Sequence, residues 1–390
     1  MRAVLRAVSD LADQRLAPHS SPVHLYLHVP YCAAKCPYCD FNSIAGREAE
    51  HAAYVEALLT EVRRLPRGPY ATAFLGGGTP TILGPQLIAR LCQGLRDHLH
   101  FTTEYEWTVE ANPGSAEAER LLMYAEHGVN RISLGVQSTD DQVLRFLGRV
   151  HAAADAERAI AAARAVVPRV SCDLIMGVPD QDESALDRDL LLYERHDLSH
   201  ASVYHLTYEP GTEFHARRAK GELTDIDPVR SRALFTHLWT RLDQLGLRLY
   251  ETSNFARPGH ESQHNLAYWR QRDYHAAGAG AVSTVAGVRT TRERHPERYI
   301  AAITAGNDAA CKVETLTSTD TVREAWMLGL RLAEGVSTAR LTELSDPPAR
   351  WRSRADALIR EGLLDEANGR LRLTTAGRPV QDHVTSWLMP

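Results

Sequence analysis

HVPYCAAKCPYCDFNS, residues 28 to 43, places Cys32, Cys36 and Cys39 on one short loop, three of the chain's six cysteines. A closed structural metal site takes four ligands. Three thiolates leave one coordination position for something else. His28 is a candidate fourth ligand for zinc. The other reading is a 4Fe-4S cube in which one iron has no protein ligand. The stretch entering the loop, VHLYLHVP (23–30), is β-rich and ends at Pro30, so the cysteines follow directly on a strand.

The same rhythm continues downstream. REAEHAAYVEALLTEVRRL (47–65) carries Tyr54, Leu58 and Val62 at helical spacing. YATAFLGGG (70–78) is a strand running into glycines, and PQLIARLCQGLRDHL (85–99) is helical. EYEWTVEANP, NRISLGVQS, RVSCDLIMGVP and HASVYHLTYEP supply four more strands with helical stretches between them. Six β/α units argue for parallel strands with helical crossovers, and near-continuous apolar strands mean both faces are covered. The expected fold is α/β, an incomplete (β/α)6 barrel, open-sided because eight units are needed to close one. After Pro210 the rhythm changes. HARRAKGELTDIDPVRS (215–231) reads as a polar loop, LRLYETSNF (247–255) as a strand, and a Gly- and His-rich segment runs to about residue 290. Near the C-terminus helices precede EGLLDEANGRLRLTTAG, where Asn368-Gly369 is a two-residue hairpin signal. This resembles a smaller winged-helix-like domain.

Composition bounds the function. The 390 residues are 44% hydrophobic and 24% charged with net charge −5, which describes a globular chain without global attraction to nucleic acid or anionic lipid. No apolar run approaches the roughly 18 residues of a membrane span. The N-terminal residues are broken by charges and lack the apolar centre of a secretory signal. Cys92, Cys172 and Cys311 stand singly among apolar neighbours and read as buried small hydrophobes, not a disulfide framework. A reducing, cytoplasmic setting follows. Residues 321–390 hold ten arginines against nine carboxylates, too even a balance for a DNA-binding winged helix.

Further polar residues fall where an α/β barrel builds its active site, at the C-terminal ends of strands. Gly76-Gly77-Gly78-Thr79-Pro80 follows the second strand and allows close backbone approach to a ligand. Glu110 ends the third strand and Gln137 the fourth. Arg149 lies in LGRVH, and Asp173 sits inside an apolar strand, where a carboxylate needs a partner.

The Cys-x3-Cys-x2-Cys spacing with Tyr38 before the last cysteine resembles the radical S-adenosylmethionine (SAM) superfamily. That resemblance implies a 4Fe-4S cluster on Cys32, Cys36 and Cys39 whose open iron is chelated by the methionine part of SAM. It implies that Gly77, Gly78 and Thr79 receive the methionine amino group, that Glu110 and Gln137 bind the ribose, that Arg149 binds the carboxylate, and that Asp173 lies at the same pocket. HVPYCAAKCPYCDF, GGGTPTIL, NRISLGVQS, DLIMGVP, YHLTYEPGT and YETSNFARPGH look like the oxygen-independent coproporphyrinogen III oxidase-like group, over roughly residues 22 to 380. One branch of that group is the dehydrogenase that makes vinyls from propionates, and the other is the HemW-type haem chaperone. The dehydrogenase carries a cysteine where Phe41 stands, and a longer N-terminal arm than the 31 residues ahead of Cys32. HNLAYW (264–269) matches the chaperone signature His-Asn-x-x-Tyr-Trp. The resemblance therefore implies haem binding by His264, Tyr268 and Trp269, with His264 the iron ligand. On a helix, His264 and Tyr268 share one face. It further implies delivery to haem-requiring apoproteins at the respiratory membrane, with peripheral contact only, and it admits a homodimer. Ser262 stands where the family often has a cysteine, and HAAGAGAV (275–282) departs from its Gly- and Leu-rich pattern. The alternative is a radical enzyme acting on a porphyrin or another substrate. The expected division is an extension (1–21), the barrel (22–214), a segment carrying the His-Asn-x-x-Tyr-Trp motif (215–310) and the C-terminal domain (311–390).

Overall fold

The computed structural model describes residues 23–344 and 349–389; the extension expected at 1–21 lies outside them. Six strands pair in chain order, each parallel to the next: β1 (Val23–Val29), β2 (Tyr70–Gly77), β3 (Phe101–Ala111), β4 (Arg131–Gln137), β5 (Arg169–Met176) and β6 (His200–His205). The crossovers are α1 (His51–Val62), α2 (Pro85–His98), α3 (Ala118–Glu126), α4 (Asp141–Phe146) with α5 (Ala153–Val166), and α6 (Glu183–Arg195). Tyr54, Leu58 and Val62, spaced by one helical turn, are fully buried on α1. Burying such a side chain contributes about 1.5–3 kcal/mol, so this one stripe fixes how the first crossover packs.

The sheet is wider than six strands. Beyond β6 the chain forms α7 (Glu213–Ala219), α8 (Pro228–Gln244) and a hairpin of β7 (Arg248–Glu251) and β8 (Asn254–Ala256), with β8 antiparallel to β6. It then passes through α9 (Gln263–Trp269) to the opposite edge. There β9 (Tyr274–Ala277) pairs parallel with β1, and β10 (Val282–Val285), β11 (Val288–Arg292) and, after α10 (Pro296–Thr304), β12 (Ala310–Thr315) extend it antiparallel. The order is β12-β11-β10-β9-β1-β2-β3-β4-β5-β6-β8-β7, and the two outer strands do not meet, so the barrel is partial.

Four expectations need correction. Residues 215–219 of the supposed loop belong to α7, whose start Thr212 caps by accepting the His215 amide at 3.1 Å. LRLYETSNF is two strands broken by a turn at Thr252 and Ser253. The expected 310/311 division falls inside β12, which belongs to the large sheet. Cys311 is exposed there, on the outermost strand of the sheet, its thiol directed at the carbonyls of Thr291 and Arg292.

The C-terminal part has α11 (Ser318–Gly329), β13 (Val336–Ser337), α12 (Thr338–Leu344), α13 (Ala349–Arg360), β14 (Leu364–Ala367), β15 (Arg370–Leu373) and α14 (Gln381–Leu388). Trp326, Leu341, Leu371 and Val384 lie in a core of its own. The β14–β15 turn is Asn368-Gly369 with φ of 53° and 70°, the left-handed pair that a type I′ turn requires. Among the described residues no helix is long and apolar enough to cross a membrane.

Candidate functional site

One cavity of ≈ 360 Å³ opens at the C-terminal ends of β1–β6. It is lined by Cys32, Cys36 and Cys39 and also by Gly77, Gly78, Thr79, Glu110, Gln137, Arg149 and Asp173, which come from separate units of the barrel. Each thiol has a donor beside it. The Thr79 hydroxyl donates to Cys32 Sγ at 3.5 Å, Arg149 Nη1 to Cys36 Sγ at 3.4 Å, and Lys35 Nζ lies 3.9 Å from Cys39 Sγ. Burial raises the Cys32 pKa and the Thr79 hydroxyl opposes that rise; donors of this kind also suit cluster sulfurs. No group of three His, Cys, Asp or Glu side chains among the described residues would hold a single ion. A cube does not ask for one, since each thiolate binds a different iron.

His28, the candidate fourth zinc ligand, does not line the cavity, and both its ring nitrogens are engaged within the fold. Its Nε2 lies 2.8 Å from the Asn42 carbonyl and must donate to it, so Nδ1 accepts from the Tyr26 hydroxyl at 2.9 Å. Burial lowers its pKa, which keeps this neutral tautomer. The ring instead braces the loop. Asn42 Nδ2 donates to the carbonyls of Ala279 and Arg294, and the Tyr54 hydroxyl donates to the His28 carbonyl and accepts the Ala279 amide. The HAAGAGAV segment is therefore the seat of the cysteine loop. A Cβ on Gly280 would fall 2.4 Å from Asn42 Nδ2. The sequence signal for this role was the Gly-x-Gly spacing within that segment.

The far wall is built with equal care. Gln137 has φ of 71°, a left-handed conformation that costs free energy in a non-glycine residue. Asp189 holds the next two residues, accepting the Ser138 and Thr139 hydroxyls and the Thr139 amide. Burial pulls Glu110 up to about 7, opposed by the Gly77 amide that donates to it at 2.9 Å. Burial likewise pulls Asp173 up to about 6, although Ser202 and Ser133 hydrogen-bond to it. Two buried polar atoms of residues lining the cavity, Arg149 Nε and Asn112 Oδ1, have no hydrogen-bond partner. Orphaned buried atoms of this kind call for a partner, and a molecule bound in the cavity would supply one. Asn112, Ser133 and His205 also line it and were not singled out from sequence.

The HNLAYW residues lie elsewhere. Helix α9 packs on the concave face of the sheet near the N-terminal ends of the strands, and Glu106 fastens its start by accepting the amides of Gln263 (3.2 Å) and His264 (3.1 Å). His264 is buried with both ring nitrogens engaged, Nδ1 with the Thr72 hydroxyl at 2.7 Å and Nε2 with the Tyr268 hydroxyl at 2.9 Å. Burial pulls it down to about 3, so the ring is neutral. Trp269 is set apart from this pair and stacks with the Arg331 guanidinium.

Residues 26–192 match the Radical SAM superfamily, and residues 316–380 match the HemN C-terminal domain. The chain is 40% identical to a protein of Escherichia coli named "Heme chaperone HemW", over 72% of this chain and 76% of that one. A protein of the same name from Mycobacterium tuberculosis is 34% identical over 96% of this chain and 97% of its own length. The chain belongs to the HemW branch of the radical SAM family. A mouse relative named "Radical S-adenosyl methionine domain-containing protein 1, mitochondrial" is 34% identical across 98% of this chain and 91% of that one. Membership in the HemW branch agrees with Phe41 and with the HNLAYW helix. The fold is also that of coproporphyrinogen III oxidase HemN from Escherichia coli, with TM-score 0.82 at 22% identity over 96% of this chain and 92% of that one.

Proposed function

We propose that this chain binds haem and passes it to haem-requiring apoproteins, and that it carries a 4Fe-4S cluster and SAM. Cys32, Cys36 and Cys39 would hold the cluster. Gly77, Gly78 and Thr79 would receive the methionine amino group, Arg149 the carboxylate, and Glu110 with Gln137 the ribose, beside Asp173. Once reduced by an external one-electron donor, a cluster so held would supply the electron for cleavage of the sulfonium C–S bond of SAM. The chain's own residues bind and orient the cosubstrate. Arg149 offers a planar fork that suits a carboxylate, and the Gly77 and Gly78 backbone admits close approach.

The observation that carries the chaperone reading over the dehydrogenase is residue 41. The dehydrogenase has a cysteine there by resemblance. Here a phenylalanine, 62% exposed, stands at the cavity mouth and has no redox or proton chemistry to offer. Relatives spanning nearly the whole chain bear the chaperone name, which supports the same reading. For His264 to ligate haem iron, its Nε2 must leave the Tyr268 hydroxyl or its Nδ1 must leave Thr72.

Anaerobic reconstitution followed by haem titration, read by visible absorption, tests the proposal on wild type, His264→Ala and Tyr268→Phe. Saturable Soret changes in wild type and Tyr268→Phe, lost in His264→Ala, support it and identify the ligand. Binding that survives in His264→Ala moves the ligand elsewhere. Failure of wild type to bind haem, with product formed from coproporphyrinogen III, would replace it with the radical-enzyme reading.

A further inference from the structure

A second cavity, ≈ 690 Å³, lies between the ends of β5 and β6, α8 and the C-terminal part. That is within the roughly 300–1,000 Å³ of ordinary ligand pockets. Its position is informative. His205, the last residue of β6, lines both this cavity and the cysteine cavity. Arg331, on its other side, stacks over the ring of Trp269 at 5.5 Å. The space therefore lies between the proposed radical site and the end of the HNLAYW helix.

Its chemistry is equally specific. Met176, Phe235, Leu249 and Val380 give it apolar walls. Arg232, Arg331 and Arg378 line it against a single lining carboxylate, Asp382. None of the three arginines forms an ion pair among the described residues. Arg378 stacks on Trp239 at 5.4 Å, and burial with the nearby Arg372 pulls it down to about 10. The carboxylate that acts on both Arg331 and Arg378 is Glu251, which is itself buried and pulled up to about 7. Partly buried guanidinium groups without an anion are costly, and that cost is recovered when a ligand brings one.

A flat apolar body with carboxylates on one edge matches these walls. We propose that this cavity takes the propionate edge of a tetrapyrrole, with Arg331 and Arg378 pairing with the carboxylates and Arg232 at the rim. The proposal rests on the haem-binding reading above and adds the site and the chemical group recognised. It also gives Trp269 a role: the indole holds the Arg331 guanidinium in place.

The test titrates haem and haem dimethyl ester, in which both propionates are masked, into the full-length protein. Arg331→Gln, Arg378→Gln and the exposed Arg232→Gln are compared with Arg340→Gln, which lies on α12 away from the cavity. Wild type is expected to bind the free acid at least about tenfold more tightly than the ester. Arg331→Gln and Arg378→Gln are each expected to lose about tenfold for haem and nothing for the ester, with Arg232→Gln intermediate and Arg340→Gln unchanged. Thermal unfolding shows that each variant is folded. If the Arg331 or Arg378 variant fails to fold, Arg232→Gln and the ester comparison decide. Equal affinity of wild type for acid and ester, or variants that bind haem as wild type does, overturns the inference and leaves the haem reading standing. No saturable binding of haem by wild type overturns both.

Discussion

Arg149 reaches Cys36 Sγ with Nη1 at 3.4 Å across 113 residues of chain, while its Nη2 donates to the Gly135 carbonyl at 2.9 Å. One guanidinium thus joins the cysteine loop to the end of β4, and its Nε is left unpaired. Arg149→Lys keeps a cation near the sulfur but loses the fork. The expected result is unchanged iron content after reconstitution and SAM affinity lower by about 10- to 100-fold. Equal SAM affinity by equilibrium dialysis would remove Arg149 from the proposed site.

Gly77 sits against His28 so closely that a Cβ would fall 2.2 Å from the ring, and its φ is +103°. No L side chain is comfortable in either respect. Gly77→Ala is expected to destabilise the protein by on the order of 2 kcal/mol and to loosen the cysteine loop that His28 braces. Gly114→Ala is the comparison, since its Cβ would meet only ordinary contacts at 3.7 Å. Its stability should change by less than about 0.5 kcal/mol. Similar unfolding midpoints for the two variants would contradict the account.

Much of this site was legible because chemistry and position coincide. The cysteines, Gly77, Glu110 and Gln137 each stand at the end of an apolar run, and parallel β/α units bring such ends together. The seat of the cysteine loop was less legible. Tyr274–Ala277 is short and alanine-rich, and it pairs with β1 across most of the chain length, which no local pattern announces. The break within 247–255 was hidden by uniform β propensity, since a turn at Thr252 and Ser253 needs neither glycine nor proline. For HNLAYW, the i, i+4 spacing gave the His264–Tyr268 contact but not its surroundings. Thr72, Phe74 and Glu106, which enclose it, lie on strands more than 150 residues earlier. Arg232, Arg331 and Arg378 come from unrelated segments and show no pattern until folded.

The raised carboxylates predict a pH dependence with a definite sign. Glu110 carries its proton to about 7 in the fold, against 4.5 ordinarily. Between those values the native state binds more protons than the unfolded chain, so the ligand-free protein loses stability as pH rises through that window. Asp173, pulled up to about 6, acts in the same direction between its ordinary 3.8 and that value. A cationic ligand such as SAM favours the ionised forms. Its affinity is expected to rise several-fold from pH 6 to pH 8, with proton release on binding, and Glu110→Gln should flatten most of the rise. Calorimetric titration in buffers of different ionisation enthalpy checks both. A flat profile in wild type would exclude Glu110 as the titrating group.

Glu106 ties the start of the HNLAYW helix to the sheet. Its side chain is 2% exposed, lies 3.7 Å from both Arg131 and Arg169, and accepts two α9 amides. A carboxylate at a helix start satisfies orphaned N–H groups and the end of the helix dipole. Glu106→Ala strands the equally buried Arg131 and takes the acceptor from the Gln263 and His264 amides, leaving only the Ser262 hydroxyl to cap α9 at Asn265. Removing one partner of a buried pair costs about 3–5 kcal/mol, so the unfolding midpoint should fall sharply. Glu106→Gln keeps the shape and one acceptor and should lose less. If His264 acts only from a well-placed α9, haem affinity in Glu106→Gln falls while iron content of the reconstituted cluster does not, because the cysteine cavity lies at the other end of the strands. Parallel loss of cluster and haem would instead mean that Glu106 supports the barrel as a whole.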